Sequence, residues 1–237
     1  MNHKEDELLH CSDVKKNFGR GEGRTEALRG VSLSLLQGEM TAIMGPSGCG
    51  KSTLLHCLSG MDTLTSGEIW FKGQALHQMK EKQKDILRGT SMGFVFQNYN
   101  LIPVLTAVEN VELPLLSQGE SPSESRKKAM EALGKVGLYE RRFHKPAHMS
   151  GGQQQRVAIA RALVHNPQII WADEPTGALD RETTDKVLQL IQHLNHEEGT
   201  TFVIVTHDPH IASITSRIIY MDSGKVIHEK RNDGGGI

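Results

Sequence analysis

Short, largely apolar runs bounded by polar residues or glycine are the dominant pattern along the chain: Met40–Met44, MGFVF at 92–96, Ile169–Ala172 and TFVIVT at 201–206. Runs of this length without polar alternation suit parallel strands covered on both faces. Between them the spacing turns helical, in SRKKAMEALGKV (125–136), QQRVAIARALV (154–164) and RETTDKVLQLIQHL (181–194). The N-terminal part is strand-rich instead, at Leu9–Val14, Ala27–Leu36 and Gly67–Phe71, with turn signals at Gly19–Gly23 and Lys72–Gln74. This predicts a small antiparallel sheet beside an α/β core. From about Asn98 to Met149 the pattern predicts an inserted helical lobe, and after Asp173 helix and strand alternate. Asp222-Ser223-Gly224-Lys225 reads as a hairpin turn and NDGGGI, 232–237, as a disordered tail.

The run Met40–Met44 leads into Gly45-Pro46-Ser47-Gly48-Cys49-Gly50-Lys51-Ser52, which fits G-x-x-x-x-G-K-S and is followed by Thr53. In a strand–loop–helix setting such glycines let backbone N–H groups turn inward, and the helix opening at Lys51 adds its positive dipole end. Lys51 would reach the β- and γ-phosphates of a nucleotide and the Ser52 hydroxyl would coordinate Mg²⁺. The same residues also read as a Gly/Ser surface turn. Ile169–Ala172 ends in Asp173-Glu174, which suits a buried parallel strand presenting carboxylates at its C-terminal end. Asp173 is the candidate metal-side carboxylate and Glu174 the candidate general base, a role worth typically about 10²–10⁴-fold in rate. By itself an acidic strand end also reads as a helix cap or solvated turn.

Ser150-Gly151-Gly152-Gln153 opens the helical stretch after it, and serine followed three residues later by glutamine is a capping box. That fits an ordinary helix start. A helix opened by two glycines also leaves unshielded N–H groups, which would make a second anion site.

With glycine loop, Gln97 after MGFVF, MSGGQ (149–153), the Asp173-Glu174 strand, ALD ending at Asp180 and His207 after TFVIVT in this order, the chain resembles the ATP-binding subunits of ABC transporters from about Leu8 to Glu229. The resemblance implies an α/β fold: a P-loop ATPase core (1–97 and 150–229) with an N-terminal antiparallel β-subdomain, an inserted α-helical subdomain at 98–149, and a tail at 230–237. It implies that the serine-glycine signature of one copy closes over the γ-phosphate held by the partner's glycine loop, so that ATP is sandwiched between two copies. Gln97 would touch Mg²⁺ or its water and report nucleotide state to a membrane partner, Asp180 would act across the dimer contact, and His207 would bond the γ-phosphate and help position Glu174. Each has a plainer alternative: Gln97 as a polar strand end, Asp180 as an N-cap, His207 as a solvated side chain at a strand-to-helix junction, since Asp208-Pro209 suits a cap followed by the first helical residue.

Phe18 takes the place where the family carries an aromatic, usually tyrosine, facing adenine; an early phenylalanine also suits a small core. Met149 replaces the more usual leucine before the signature serine, a change of packing rather than chemistry. Cys49 is either a small residue in the cradle or a thiol activated by the helix dipole.

The formal net charge of −1, with no Lys/Arg-dense block, gives no electrostatic footprint for nucleic acid. Three cysteines, at 11, 49 and 57, make neither a disulfide framework nor a metal-ligand spacing, as in a reducing compartment. There is no signal-peptide pattern at MNHKEDELLH, and no apolar run reaches the ~18 residues of a membrane helix. The stretches FVFQNYNLIPVLTAVENVELPL (94–115) and ADEPTGALD (172–180) resemble the bacterial group serving macrolide export, lipoprotein release and antimicrobial-peptide resistance. The expectation is a peripheral ATPase on the cytoplasmic face of the membrane, using ATP and Mg²⁺, dimerising with itself and driving integral-membrane permease subunits. A soluble ABC-type ATPase of DNA repair or translation is the alternative; it would need a coiled-coil insertion or a second cassette, and neither is present.

Overall fold

The computed structural model describes residues 6–19 and 21–232; residues 233–237, most of the expected tail, lie outside the described residues. In chain order the elements are β1 (Glu7–Phe18), β2 (Thr25–Leu36), β3 (Met40–Met44), α1 (Lys51–Leu58), β4 (Ser66–Phe71), β5 (Gln74–Ala75), α2 (Glu81–Ser91), β6 (Met92–Phe96) and α3 (Ala107–Ser117). There follow α4 (Pro122–Lys135), α5 (Gly151–Leu163), β7 (Ile169–Asp173), α6 (Arg181–Glu198), β8 (Thr201–Thr206), α7 (Pro209–Ser213), β9 (Arg217–Asp222) and β10 (Lys225–Arg231). They fall into two compact units, one made of the chain up to Ile86 together with Thr201 onward, the other of Leu87–Thr200.

The first unit holds the expected antiparallel sheet, in the order β2-β1-β4-β5. Its second sheet is mixed: β3 lies between β8 and β9, parallel to both, and β10 runs antiparallel along β9. Every residue of β3 and β8 is buried, which is why their sequences carry no polar alternation. Two hairpins turn on residue pairs with positive φ, Lys72-Gly73 and Ser223-Gly224, the conformation that matches the twist of the flanking strands. Arg217 on β9 joins the two sheets: its guanidinium donates to the Ser34 carbonyl of β2 at 2.7 Å and to Glu229 of β10 at 2.6 Å, with Glu39 at 3.5 Å. Strand β10 runs on through Lys230 and Arg231, two residues into the tail expected from 230.

In the second unit β6 and β7 run parallel, in a register that pairs Met92 with Ile169 and Phe96 with Asp173. Helix α5 packs on β6 so closely that a Cβ at Gly93 would lie 2.4 Å from the Ala162 carbonyl oxygen. Helices α3 and α4 fall within 98–149. Thr106 and Glu109 form a capping box on α3, and Ser121 caps α4 ahead of Pro122. A two-pronged bond from Arg126 to Glu112, at 2.6 and 2.9 Å, ties the two helices together. The sequence reading contained no helix at α2, whose segment EKQKDILRGTS is nearly all polar.

Candidate active site

In the first unit the glycine loop leaves the C-terminal end of β3 and runs into α1. Its shape is set by close approaches that only glycine tolerates: a Cβ at Gly45 would lie 2.2 Å from the Met221 carbonyl oxygen, and one at Gly50 2.5 Å from that of Ala27. The β9–β10 hairpin backs the loop, with the Gly224 N–H donating to the Cys49 carbonyl at 2.9 Å. Lys51, only 7% exposed, turns back along the loop and donates from Nζ to the carbonyls of Gly45 and Pro46, each at 2.9 Å. Helices α3, α4, α5, α6 and α7 are each capped by a Thr, Ser or Asp side chain, whereas Gly50 gives α1 no side-chain cap. The positive end of α1 therefore faces the loop beside a lysine ammonium, a cradle for an anion. The register pairing Met44 with Thr206 puts Gly45 and His207 at the ends of adjacent parallel strands. His207 is exposed there, just ahead of Asp208, which caps α7 by accepting from the His210 N–H at 2.8 Å.

In the second unit the register of β6 and β7 does the same for Gln97 and Glu174, which follow the paired residues Phe96 and Asp173. Asp173 is half-buried at the end of an otherwise buried strand. Glu174 takes a left-handed backbone conformation, φ 47°. A non-glycine residue held so costs on the order of 1–3 kcal/mol and is found at sites where side-chain direction matters. The Gln97 side chain reaches the loop beyond Glu174: its Nε2 is 2.8 Å from where a Cβ on Gly177 would stand.

Ser150 caps α5 as expected. Its Oγ accepts from the Gln153 N–H at 3.3 Å, and Gln153 Oε1 accepts from the Ser150 N–H at 3.0 Å. The two glycines answer to packing as well: a Cβ on Gly152 would lie 2.3 Å from Thr183 Cγ2, and one on Gly151 2.8 Å from Tyr99 Oη. Asp180 caps α6, accepting from the Thr183 N–H at 2.9 Å and its hydroxyl at 2.8 Å; these bonds hold its carboxyl below the usual range. Thr183 thus touches both the signature glycine and Asp180, bringing Ser150–Gln153 and Asp180 together in this unit.

Phe18 does not enter a core: it is 45% exposed, with the Lys16 ammonium 4.9 Å from its ring centre. Cys49 is buried, with Lys51 Nζ 4.0 Å from its Sγ, while Ser52 and Thr53 are half-buried in the first turn of α1. Burial pushes the Cys11 and Cys57 thiols up to about 12. Nothing in the residue pattern marks the grip of Arg161, whose guanidinium donates to the Asn100 and Tyr99 carbonyls at 2.5 and 2.8 Å. Nor does it mark Tyr99 itself. A basic residue in the last turn of α5 was the one available signal.

Among known proteins, the ABC transporter family model matches residues 28–177, more than half of the chain. The chain is similar to the ATP-binding cassette MJ0796, seen as a dimer in a post-hydrolysis state with ADP and Pi, at 45% identity and TM-score 0.88, covering 96% of this chain and 100% of that one. It is also similar to cbiO1 from Clostridium perfringens, part of the ABC transporter complex cbiONQ, at 31% identity and TM-score 0.86, covering 96% of this chain and 89% of that one. A third similar structure, the cassette MJ1267 in its ADP conformation, has 28% identity and TM-score 0.83, covering 96% and 92%.

Proposed function

The chain belongs to the ABC transporter family, as an ATPase cassette of that family, and from that premise we propose that two copies close around two ATP molecules to drive separate membrane subunits. The observation that carries this reading is the cradle itself, an uncapped α1 N-terminus with the Lys51 ammonium in the loop before it. In this proposal the loop 45–53 wraps the phosphates, Lys51 offsets the β/γ charge and Phe18 stacks on the base. Mg²⁺ commonly takes one or two carboxylates and fills its remaining positions with phosphate and water oxygens. Ser52, Gln97 and Asp173, to which the family resemblance gives the metal, would supply a hydroxyl, an amide oxygen and one carboxylate, the donor types such an ion takes, and the ion would neutralise charge developing on the phosphates.

Glu174 orients the attacking water and accepts its proton, while His207 bonds the γ-phosphate oxygens. Ser150–Gln153 of each copy bond the γ-phosphate held by the other, and Asp180 lies at that contact. The dimeric state of MJ0796 and the place of cbiO1 in a transporter complex support this arrangement.

A surface of the second unit supports the membrane partner. Val104 is 72% and Phe143 60% exposed, with Ile102 and Tyr139 also exposed, and Arg142 lies over both Tyr139 and Phe143. The Ala107 and Val108 N–H groups donate to the His144 and Arg142 carbonyls, so the two segments run side by side, and exposed apolar groups on neighbouring segments suit an interaction site. We place the chain on the cytoplasmic face of the membrane, in the export, lipoprotein-release or peptide-resistance group that 94–115 and 172–180 resemble. The test is fractionation of cells carrying the parent chain or Val104→Glu/Phe143→Glu. The parent is expected with the membranes and the variant in the soluble fraction, with equal ATPase rates after purification. A wholly soluble parent overturns the membrane role, and a membrane-bound variant overturns this surface as its docking face.

A further inference from the structure

The segment immediately after Gln97 is built against its local preference. Tyr99 and Asn100 both have left-handed backbones, φ 59° and 49°. Asparagine tolerates that region, but a bulky residue such as tyrosine does so only when its surroundings impose it. What imposes it is α5. At the helix start, the Tyr99 hydroxyl lies against Gly151; near the helix end, ten residues on, Arg161 donates to the carbonyls of Asn100 at 2.5 Å and of Tyr99 at 2.8 Å. The α-carbons of Gly151 and Arg161 are about 15 Å apart along the axis, and the Tyr99 and Arg161 side chains span that interval, so the segment is held at two places on one rigid rod. The Arg161 side chain is half-buried, and that burial lowers its pKa from the usual value. A guanidinium stays charged even so, and a planar fork can bond two carbonyls at once where an ammonium is a single point. Gln97 is two residues before Tyr99, and its amide rests against Gly177, in the loop between Glu174 and Asp180.

We propose that Arg161 is a positioning residue that holds Gln97 in place through the backbone of Tyr99-Asn100, and so fixes the geometry of Gln97 relative to the signature helix α5. This rests on the reading of Gln97 as a group that touches Mg²⁺ or its water. Losing Arg161 lets Tyr99 and Asn100 relax toward ordinary φ values and moves Gln97 with them, while the glycine loop keeps its own supports in the first unit. ATP affinity is therefore retained and metal placement is lost.

The test compares the parent with Gln97→Ala, Arg161→Ala, Arg161→Lys and the Gln97→Ala/Arg161→Ala double variant. Mn²⁺, standing in for Mg²⁺, is titrated into each chain saturated with a non-hydrolysable ATP analogue and followed by electron paramagnetic resonance. Steady-state kcat and KM for ATP are measured beside it. Arg161→Ala is expected to weaken Mn²⁺ binding and lower kcat, each on the order of 10-fold, with KM for ATP within about twofold, and Arg161→Lys to fall between it and the parent. The double variant should be no worse than Gln97→Ala, because both changes act at one point. If Gln97→Ala weakens Mn²⁺ binding but both Arg161 variants match the parent, or if the effects simply add, the positioning role is overturned. If Gln97→Ala leaves Mn²⁺ binding unchanged, the metal role of Gln97 is overturned and the proposal with it. Should Arg161→Ala fail to fold, Arg161→Lys carries the comparison.

Discussion

Lys51 is a buried cation whose ammonium is bonded by two peptide carbonyls, Gly45 and Pro46. Carbonyl dipoles compensate its desolvation but supply no net negative charge, so the loop keeps a positive centre to which the α1 dipole adds. A phosphate gains from both at once, in a loop whose backbone is already fixed by Gly45 against Met221 and Gly50 against Ala27. Lys51→Ala removes the ammonium and leaves the loop's glycine contacts in place. Nucleotide titration and phosphate release should show affinity or turnover lowered about 10²-fold or more, the scale of losing one preorganised charge-stabilising group. Near-parental turnover would contradict the place given to the cradle. Glu174 illustrates the opposite device, a side chain aimed by a strained backbone, φ 47°, at the end of β7.

Helices α1 and α5 begin in contrasting ways. At α1 the cap is a glycine without a side chain; at α5 a reciprocal capping box satisfies the N–H groups of Ser150 and Gln153. Ser150 therefore has a structural part and, in the proposed dimer, a second part toward the partner's phosphate, and two substitutions separate them. Ser150→Ala loses the cap and should lower stability by about 1 kcal/mol, read as a shift in the urea midpoint. Ser150→Arg puts a bulky side chain on the surface meant for the partner's ATP; ATP binding by a single chain should stay near parental while hydrolysis disappears. Loss of single-chain binding would contradict the division of labour. The capping box and the strands β3, β6, β7 and β8 were legible in the sequence, since caps have fixed spacing and two-sided burial leaves an unbroken apolar run. The helix α2 was not legible, being polar almost throughout. Nor was the grip of Arg161 on Tyr99 and Asn100, because a side chain that binds peptide carbonyls leaves no mark on the identity of the residues it binds. The neighbourhood of Gly45 with His207, and of Gln97 with Glu174, came from strand register, which residue pattern alone does not specify for buried parallel strands.

At the scale of the whole molecule the proposed dimer turns two surfaces of the chain toward phosphate: the cradle of α1 in the first unit, and the α5 start beside Asp180 in the second. Pairing each cradle with the other copy's α5 start uses both surfaces of both copies, and ATP becomes part of the contact. In that proposed dimer the γ-phosphate would decide how long the pair lasts. Glu174→Gln keeps the size and hydrogen-bonding reach of the side chain but removes the carboxylate that would accept the proton of the attacking water, and leaves every binding group intact. ATP and Mg²⁺ should still bind while turnover falls about 10²–10⁴-fold. With hydrolysis stalled, both γ-phosphates keep bridging the copies, and the population shifts to the dimer by mass action. Size exclusion or light scattering in Mg-ATP should give roughly twice the monomer mass for Glu174→Gln and mostly monomer for the parent. A parent already dimeric without nucleotide would mean that protein contacts alone hold the pair. A Glu174→Gln chain that turns over at the parental rate would pass the general-base role to another group, with His207, which follows the last residue of β8, the first to substitute.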